Sequence, residues 1–168
     1  VVGALVLHLV DHRPWETAVR LSTFHTIAIQ STTGFTTEDF MLWHPSTWMF
    51  VAFITMVGAC AGSTSGGIKC IRILTIWKTI INEFRLILHP HAVFPLRINS
   101  QPLPPAVVRN VFVFVACYFG LTLFGSIALM AMGLSMMDAV SCCITTLSNV
   151  GPGYGHLIGP LDSWNVLP

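Results

Sequence analysis

Apolar positions in this chain come in blocks of unequal length, separated by polar loops rich in glycine, serine and threonine. Val1 to Val10 is apolar and ends at Asp11-His12-Arg13-Pro14, where charge and proline stop a spanning helix at an interface, so only a helix stub is expected there. Trp15 to Gln30 is helix-compatible but carries Glu16, Arg20, Ser22, Thr23, His25 and Thr26. It is too polar and too short to cross about 30 Å of hydrocarbon, which predicts a half-helix buried in protein. Ser31-Thr32-Thr33-Gly34-Phe35-Thr36-Thr37 follows as a loop, then acidic Glu38-Asp39. From Trp48 to Ala61 the chain is apolar again, breaks at Gly62-Ser63-Thr64-Ser65-Gly66-Gly67, and resumes at Ile68 as an amphipathic helix that ends near His89-Pro90.

Pro90 to Pro105 is proline-rich and polar and reads as a linker. Ala106 to Gly133 has the length of one tilted spanning helix, Ser135 to Leu147 is a second short polar stretch, and Ser148-Asn149-Val150-Gly151-Pro152-Gly153-Tyr154-Gly155 is a second loop. One pattern is used twice. Placing Ser31 on Ser148 puts Gly34 on Gly151 and Ile27 on Ile144, an offset of 117 positions (148 less 31). The division expected is 1–89 for one pore-loop unit, 90–105 for a cytoplasmic linker and 106–168 for a second, incomplete unit.

Composition places these blocks in a bilayer. Hydrophobic residues make up 54% of the chain and charged ones 9%, and a soluble domain of this size cannot hide several such runs in one core. The basic residues form no stripe interleaved with stacking aromatics, which excludes a nucleic-acid partner. Cys60, Cys70, Cys117, Cys142 and Cys143 form no CxxC pair and read as small apolar packing residues. Trp43, Trp48, Trp77 and Trp164 read as interface anchors. The chain opens inside an apolar run, without an initiator methionine, and is expected to be a fragment.

Lys69, Arg72, Lys78, Arg85, Arg97 and Arg109, six of the eight Lys and Arg residues, fall between the break and the start of the next helix, which sets that region on the cytoplasmic side. Glu38, Asp39 and Asp162 follow the two loops, so the loops open outwards, with carboxylates to concentrate cations at the mouth. Non-helical backbone at membrane depth must find partners for its carbonyls, and a cation is a natural one. Thr32, Thr33 and Gly34, and Asn149, Val150 and Gly151, can line such a path, with the negative ends of the half-helices pointing at it. The competing reading is that Gly34 and Gly151 are ordinary turn glycines. The break has two readings as well: a kink for close helix packing at the Gly58/Gly62 and Gly62/Gly66 spacing, or a mobile gate.

Three motifs in order, Gln30 to Thr37, Gly58 to Lys69 and Ser148 to Gly155, closely resemble the Trk/Ktr/HKT superfamily of potassium transporters, specifically its bacterial TrkH-type membrane subunits. The resemblance covers essentially the whole chain. It implies an all-α integral membrane fold of repeats, each a transmembrane helix, a re-entrant pore half-helix with filter loop, and a transmembrane helix, arranged as in potassium channels. This chain then holds repeat three and most of repeat four. Thr32, Thr33, Gly34, Asn149, Val150 and Gly151 become ion-binding filter residues, with potassium at their carbonyls as substrate and no cofactor. Gly62, Ser63, Thr64, Ser65, Gly66, Gly67 and Lys69 become the gate. The expected setting is the bacterial inner membrane, with surrounding lipid, a homodimeric arrangement and a cytoplasmic, nucleotide-binding, TrkA-like regulatory subunit. Potassium versus sodium depends on two further loops that this chain lacks, and the helix after the fourth filter is missing too.

An enzyme is the chemical alternative and finds few parts. Gly62 to Lys69 resembles a phosphate-binding loop, but Ile68 separates Gly67 from Lys69 and Cys70 stands where Ser or Thr would hold magnesium. Ser63 and Ser65 lie in no GxSxG elbow, which leaves little for an intramembrane hydrolase. A membrane scaffold explains the helices but not two polar loops at membrane depth. His25 is read as hydrogen-bonded packing behind the first loop, with proton relay as the rival role. His89-Pro90-His91 is read as interfacial.

Overall fold

The computed structural model describes residues 2–58, 60–89, 96–98, 101–155 and 157–161. Over these the chain is mostly helical: α1 (Val2–Leu9), α2 (Trp15–Gln30), α3 (Pro45–Met56), α4 (Cys70–Leu88), α5 (Pro105–Ala131) and α6 (Met136–Ser148), with a 3-10 turn at Phe40–Leu42. Extended backbone is confined to two-residue pairings. β1 (Val57–Gly58) runs parallel to β2 (Ile68–Lys69), and β3 (Arg97–Ile98) antiparallel to β4 (Gln101–Pro102).

Helix starts follow local chemistry. Proline occupies the start of α3 and of α5, where its missing N–H is no loss. Before α3 the His44 ring accepts from the Ser46 amide, and before α6 the Ser135 hydroxyl oxygen accepts from the Asp138 amide at 3.2 Å. α5 has 27 residues, which at about 1.5 Å per residue is roughly 40 Å. Among the described residues it is the one helix long and apolar enough to cross a membrane, and only 22% of its most apolar window is buried. Val113, Phe119, Leu121, Leu123 and Phe124 face outwards, a surface suited to lipid and not to water. The shorter α2, α3 and α6 span less than the hydrocarbon thickness at the same rise.

α1, α2 and α3 pack on one another, α5 packs on α6 and on α4, and α3 crosses over to α6. Leu7, Ala18, Ile29, Phe40, Trp43 and Val51 from the first half share one cluster with Ile144, Val150 and Tyr154 from the second. The second loop thus plugs into the core of the first half.

Several sequence expectations change. The helix break is longer than the Gly62 to Gly67 run, because α3 already ends at Met56 and Val57-Gly58 leave the helix to pair with Ile68-Lys69. Trp43 is buried, with 4% exposure, and is a core residue instead of an interface anchor; Trp77 stays exposed and Trp48 donates to the Phe40 carbonyl. Of the cysteines Cys142 is buried and Cys143 half-buried, whereas Cys60, Cys70 and Cys117 are exposed within this chain. The described part of the linker is not featureless: β3 and β4 form a short hairpin, and the Lys78 ammonium donates to the Arg97 carbonyl at 2.8 Å. Ala59, Pro90, His91, Asp162 and Trp164 lie outside the described residues.

Candidate functional site

The two short helices end in the same way. After α2 the Thr32 amide donates to Ile29 O at 3.0 Å and the Thr33 amide to Ala28 O at 3.0 Å. After α6 the Asn149 amide donates to Thr146 O and the Val150 amide to Thr145 O, both at 3.1 Å. Each is a Schellman termination, and every donor and acceptor matches its counterpart at the offset of 117. The dihedrals match as well: φ is +57° at Thr32 and +56° at Asn149, then +73° at Gly34 and +97° at Gly151. Asparagine tolerates the left-handed conformation, but a β-branched threonine there is an outlier that surrounding structure must hold in place.

The loops also touch. A Cβ on Gly34 would overlap the Val150 carbonyl oxygen and lie 3.0 Å from Pro152, so only glycine lets the first loop lie against the second. Farther out, the Thr36 hydroxyl donates to Pro160 O at 3.0 Å. Ser31 and Thr33 share a hydroxyl contact of 2.7 Å at the base of the first loop.

Each loop is held at its outer end by a different device. In the first, Arg13 pairs with Glu38 through both terminal guanidinium nitrogens at 2.8 Å, joining the chain just ahead of α2 to the residue after the loop. The hydrogen bond to Glu38 raises the Arg13 pKa, with partial burial opposing it. Glu38 is thus paired with Arg13, and Asp39 accepts from the Met41 amide to start the 3-10 turn, so both carboxylates also have structural partners beside the loop. In the second loop the device is Asp138, with 2% exposure. It accepts from the Ser135 hydroxyl at 2.6 Å and from the Leu157 amide at 3.0 Å, while the Ser141 hydroxyl oxygen accepts from the Tyr154 amide at 2.7 Å. Asp138 and Ser141 were missed in the sequence. Their signal was a lone carboxylate in a short apolar helix, which needs a partner once it is buried. Asp138→Ala leaves the Leu157 amide unpaired at a cost of about 1–3 kcal/mol. The expected result is a lowered midpoint of thermal unfolding in the intact protein, and an unchanged midpoint would show that the outer loop does not depend on this carboxylate.

The Gly/Ser/Thr excursion docks beneath the second loop. The Gly67 amide donates to Leu147 O at 3.3 Å, and a Cβ on Gly66 would lie 2.8 Å from the Ser148 carbonyl carbon, so backbone meets backbone at the end of α6. Ser148 is fully buried and shares a 2.9 Å hydroxyl contact with Tyr118 of α5. Within the excursion Lys69 donates to Ser63 O at 2.6 Å, and the Ser63 and Ser65 hydroxyls meet at 2.6 Å. Cys70 donates to Gly58 O across the pairing of β1 with β2. Gly66 and Gly67 thus lie against α6, while a Cβ on Gly62 would meet nothing within 4 Å.

One exposed helix long and apolar enough to cross a membrane, beside short helices whose terminal loops touch, is an arrangement suited to an integral membrane protein. Residues 4–161 match the family model described as TrkH, cation transport protein, and the chain belongs to that family. It is 35% identical over 156 residues to the Trk system potassium uptake protein TrkI of Halomonas elongata, covering 92% of this chain and 32% of that protein. It is 31% identical over 142 residues to the Trk system potassium uptake protein TrkH of Escherichia coli, covering 84% of this chain and 29% of the relative. The crystal structure of the potassium transporter TrkH from Vibrio parahaemolyticus superposes with a TM-score of 0.89 at 32% identity, covering 99% of this chain and 35% of that one. The chain therefore spans about a third of the length of these relatives.

Proposed function

We propose that this chain supplies two adjoining pore loops of a potassium uptake subunit, with Thr32, Thr33, Gly34, Asn149, Val150 and Gly151 as filter residues. The observation that carries the reading is the matched pair of loops: equivalent residues adopt the same hand, and Gly34 of one abuts Val150 O of the other. In both loops a residue of negative φ lies between two of positive φ. Backbone of alternating hand sets successive amides to one side and successive carbonyls to the other, and a row of carbonyls can replace the hydration shell of a cation. The C-terminal ends of α2 and α6 add the negative ends of their dipoles at the same place.

On this reading 1–89 and 106–168 are successive repeats, 90–105 is the cytoplasmic connection, and the whole subunit carries four loops about one axis. Gly62, Ser63, Thr64, Ser65, Gly66, Gly67 and Lys69 form a gate under the filter, seated on the end of α6. The subunit sits in a bacterial cytoplasmic membrane, dimerises and answers to a cytoplasmic nucleotide-binding partner. It moves potassium as substrate and performs no covalent chemistry.

The test is rubidium or potassium uptake by proteoliposomes containing the intact subunit, under an imposed gradient. Uptake that prefers potassium to sodium is the expected result. Sodium preference would move the assignment to a sodium pathway, and no flux of either ion would overturn transport in favour of a scaffold.

A further inference from the structure

Behind the first loop, α1, α2 and α3 enclose a small cavity lined by residues that include Leu7, His25, Ile29, Trp43, Thr47 and Val51. Phe50, Ile54, Ser22 and Thr26 also line it, and three of its polar side chains have an atom buried without a partner among the described residues: His25 Nε2, Trp43 Nε1 and Thr47 Oγ1. Their residues are 2%, 4% and 2% exposed. Each such atom left unpaired costs about 1–3 kcal/mol, and three on the wall of one cavity is far above what a packed core tolerates by accident.

Their hydrogen-bonding characters are complementary. His25 Nδ1 lies 2.9 Å from Leu21 O, and a carbonyl only accepts, so Nδ1 carries a proton and, in the neutral ring, Nε2 offers a lone pair. Trp43 Nε1 can only donate, and the Thr47 hydroxyl can do either. The rings of His25 and Trp43 stand edge to face, 5.1 Å between centroids, so the two residues pack on each other beside the cavity. No direct bond among the three is made, and the donors and acceptors they leave open match those of a single water, which has two hydrogens and two lone pairs. The space open to the centre of a water molecule is about 10 Å³, close to the volume that one water requires.

The geometry points to a structural water site here: one water donates to His25 Nε2, accepts from Trp43 Nε1–H and takes Thr47 Oγ1 as its third partner. Three contacts are the usual complement of a buried water. The water ties α2 to the start of α3 directly behind the first loop, since Ile29, which lines the cavity, also accepts the Thr32 amide. The site is independent of which ion passes the loops.

Thr47→Val keeps the side chain's shape and removes only its hydroxyl, so the sign of its effect decides. With a bound water, the substitution strips a partner and lowers the unfolding midpoint of the intact subunit by roughly 1–3 °C, whereas Thr47→Ser keeps the third contact and loses less. Without one, Thr47→Val removes an unpaired buried hydroxyl and the midpoint rises. A structure of the intact subunit, at a resolution that shows other internal waters, is expected to place solvent density within hydrogen-bonding distance of His25 Nε2 and Trp43 Nε1. A raised midpoint for Thr47→Val, or an empty cavity in that map, overturns the assignment.

Discussion

Gly34→Ala in the intact subunit is expected to reduce potassium uptake by at least about tenfold, the change that about 1.4 kcal/mol produces. Two causes act together. A left-handed φ of +73° costs an L-residue about 1–2 kcal/mol, and the added methyl must push the Val150 carbonyl aside. Gly151→Ala shares the first cause, since φ is +97°, but among the described residues nothing lies within 4 Å of its Cβ. If four loops close about one axis, Gly151 abuts the next loop of the intact subunit just as Gly34 abuts Val150, and both variants lose flux to a similar degree. Rubidium uptake at matched membrane expression makes the comparison. A Gly151→Ala variant with near-normal flux would remove the cyclic arrangement, and normal flux in both would reduce these glycines to ordinary turns.

Removing Gly62 to Ser65 while keeping Gly66 and Gly67 is expected to raise basal flux, again by about tenfold if the excursion holds the path closed by about 1.4 kcal/mol. The docking geometry dictates the cut. Gly66 and Gly67 lie against Leu147 and Ser148, and deleting them would disturb the end of α6 itself. The pairing of Val57-Gly58 with Ile68-Lys69 brings the two ends of the excursion together, so a shortened loop can close without moving α3 or α4. Lys69→Met, which removes the 2.6 Å bond to Ser63 O, is expected to act in the same direction but less. Unaltered flux in a folded, correctly inserted deletion variant would show that the excursion is a packing kink.

Much of the architecture was readable because the blocks obey local rules. Pro14 stands just ahead of α2, and the loop around Gly34 ends it, so its bounds follow from chemistry beside the segment. Length and hydropathy alone identify α5. What escaped depended on partners far along the chain. Val57-Gly58 look like the continuation of an apolar helix, and only their pairing with Ile68-Lys69 draws them out of it. Asp138 gives no local sign that it will hold the amide of Leu157, 19 residues on. Trp43 looked like an interface tryptophan because its burial is decided by His25 and Phe40 packing around it. At the candidate site both glycines were legible as the centres of the loops. The left-handed Thr32 was not, because threonine's own preference opposes that conformation.

The unlike fastenings of the two loops imply unequal sensitivity to the medium. Asp138 is sealed from solvent, so dissolved ions scarcely reach its bonds, whereas Arg13 and Glu38 are 28% and 30% exposed and their attraction is open to screening. An exposed pair of this kind contributes about 0–1 kcal/mol and loses part of that in concentrated electrolyte. As the electrolyte strengthens, the fastening of the first loop slackens while that of the second keeps its shape, so, if these loops line an ion path as proposed, its rim has a compliance set by the ions around it.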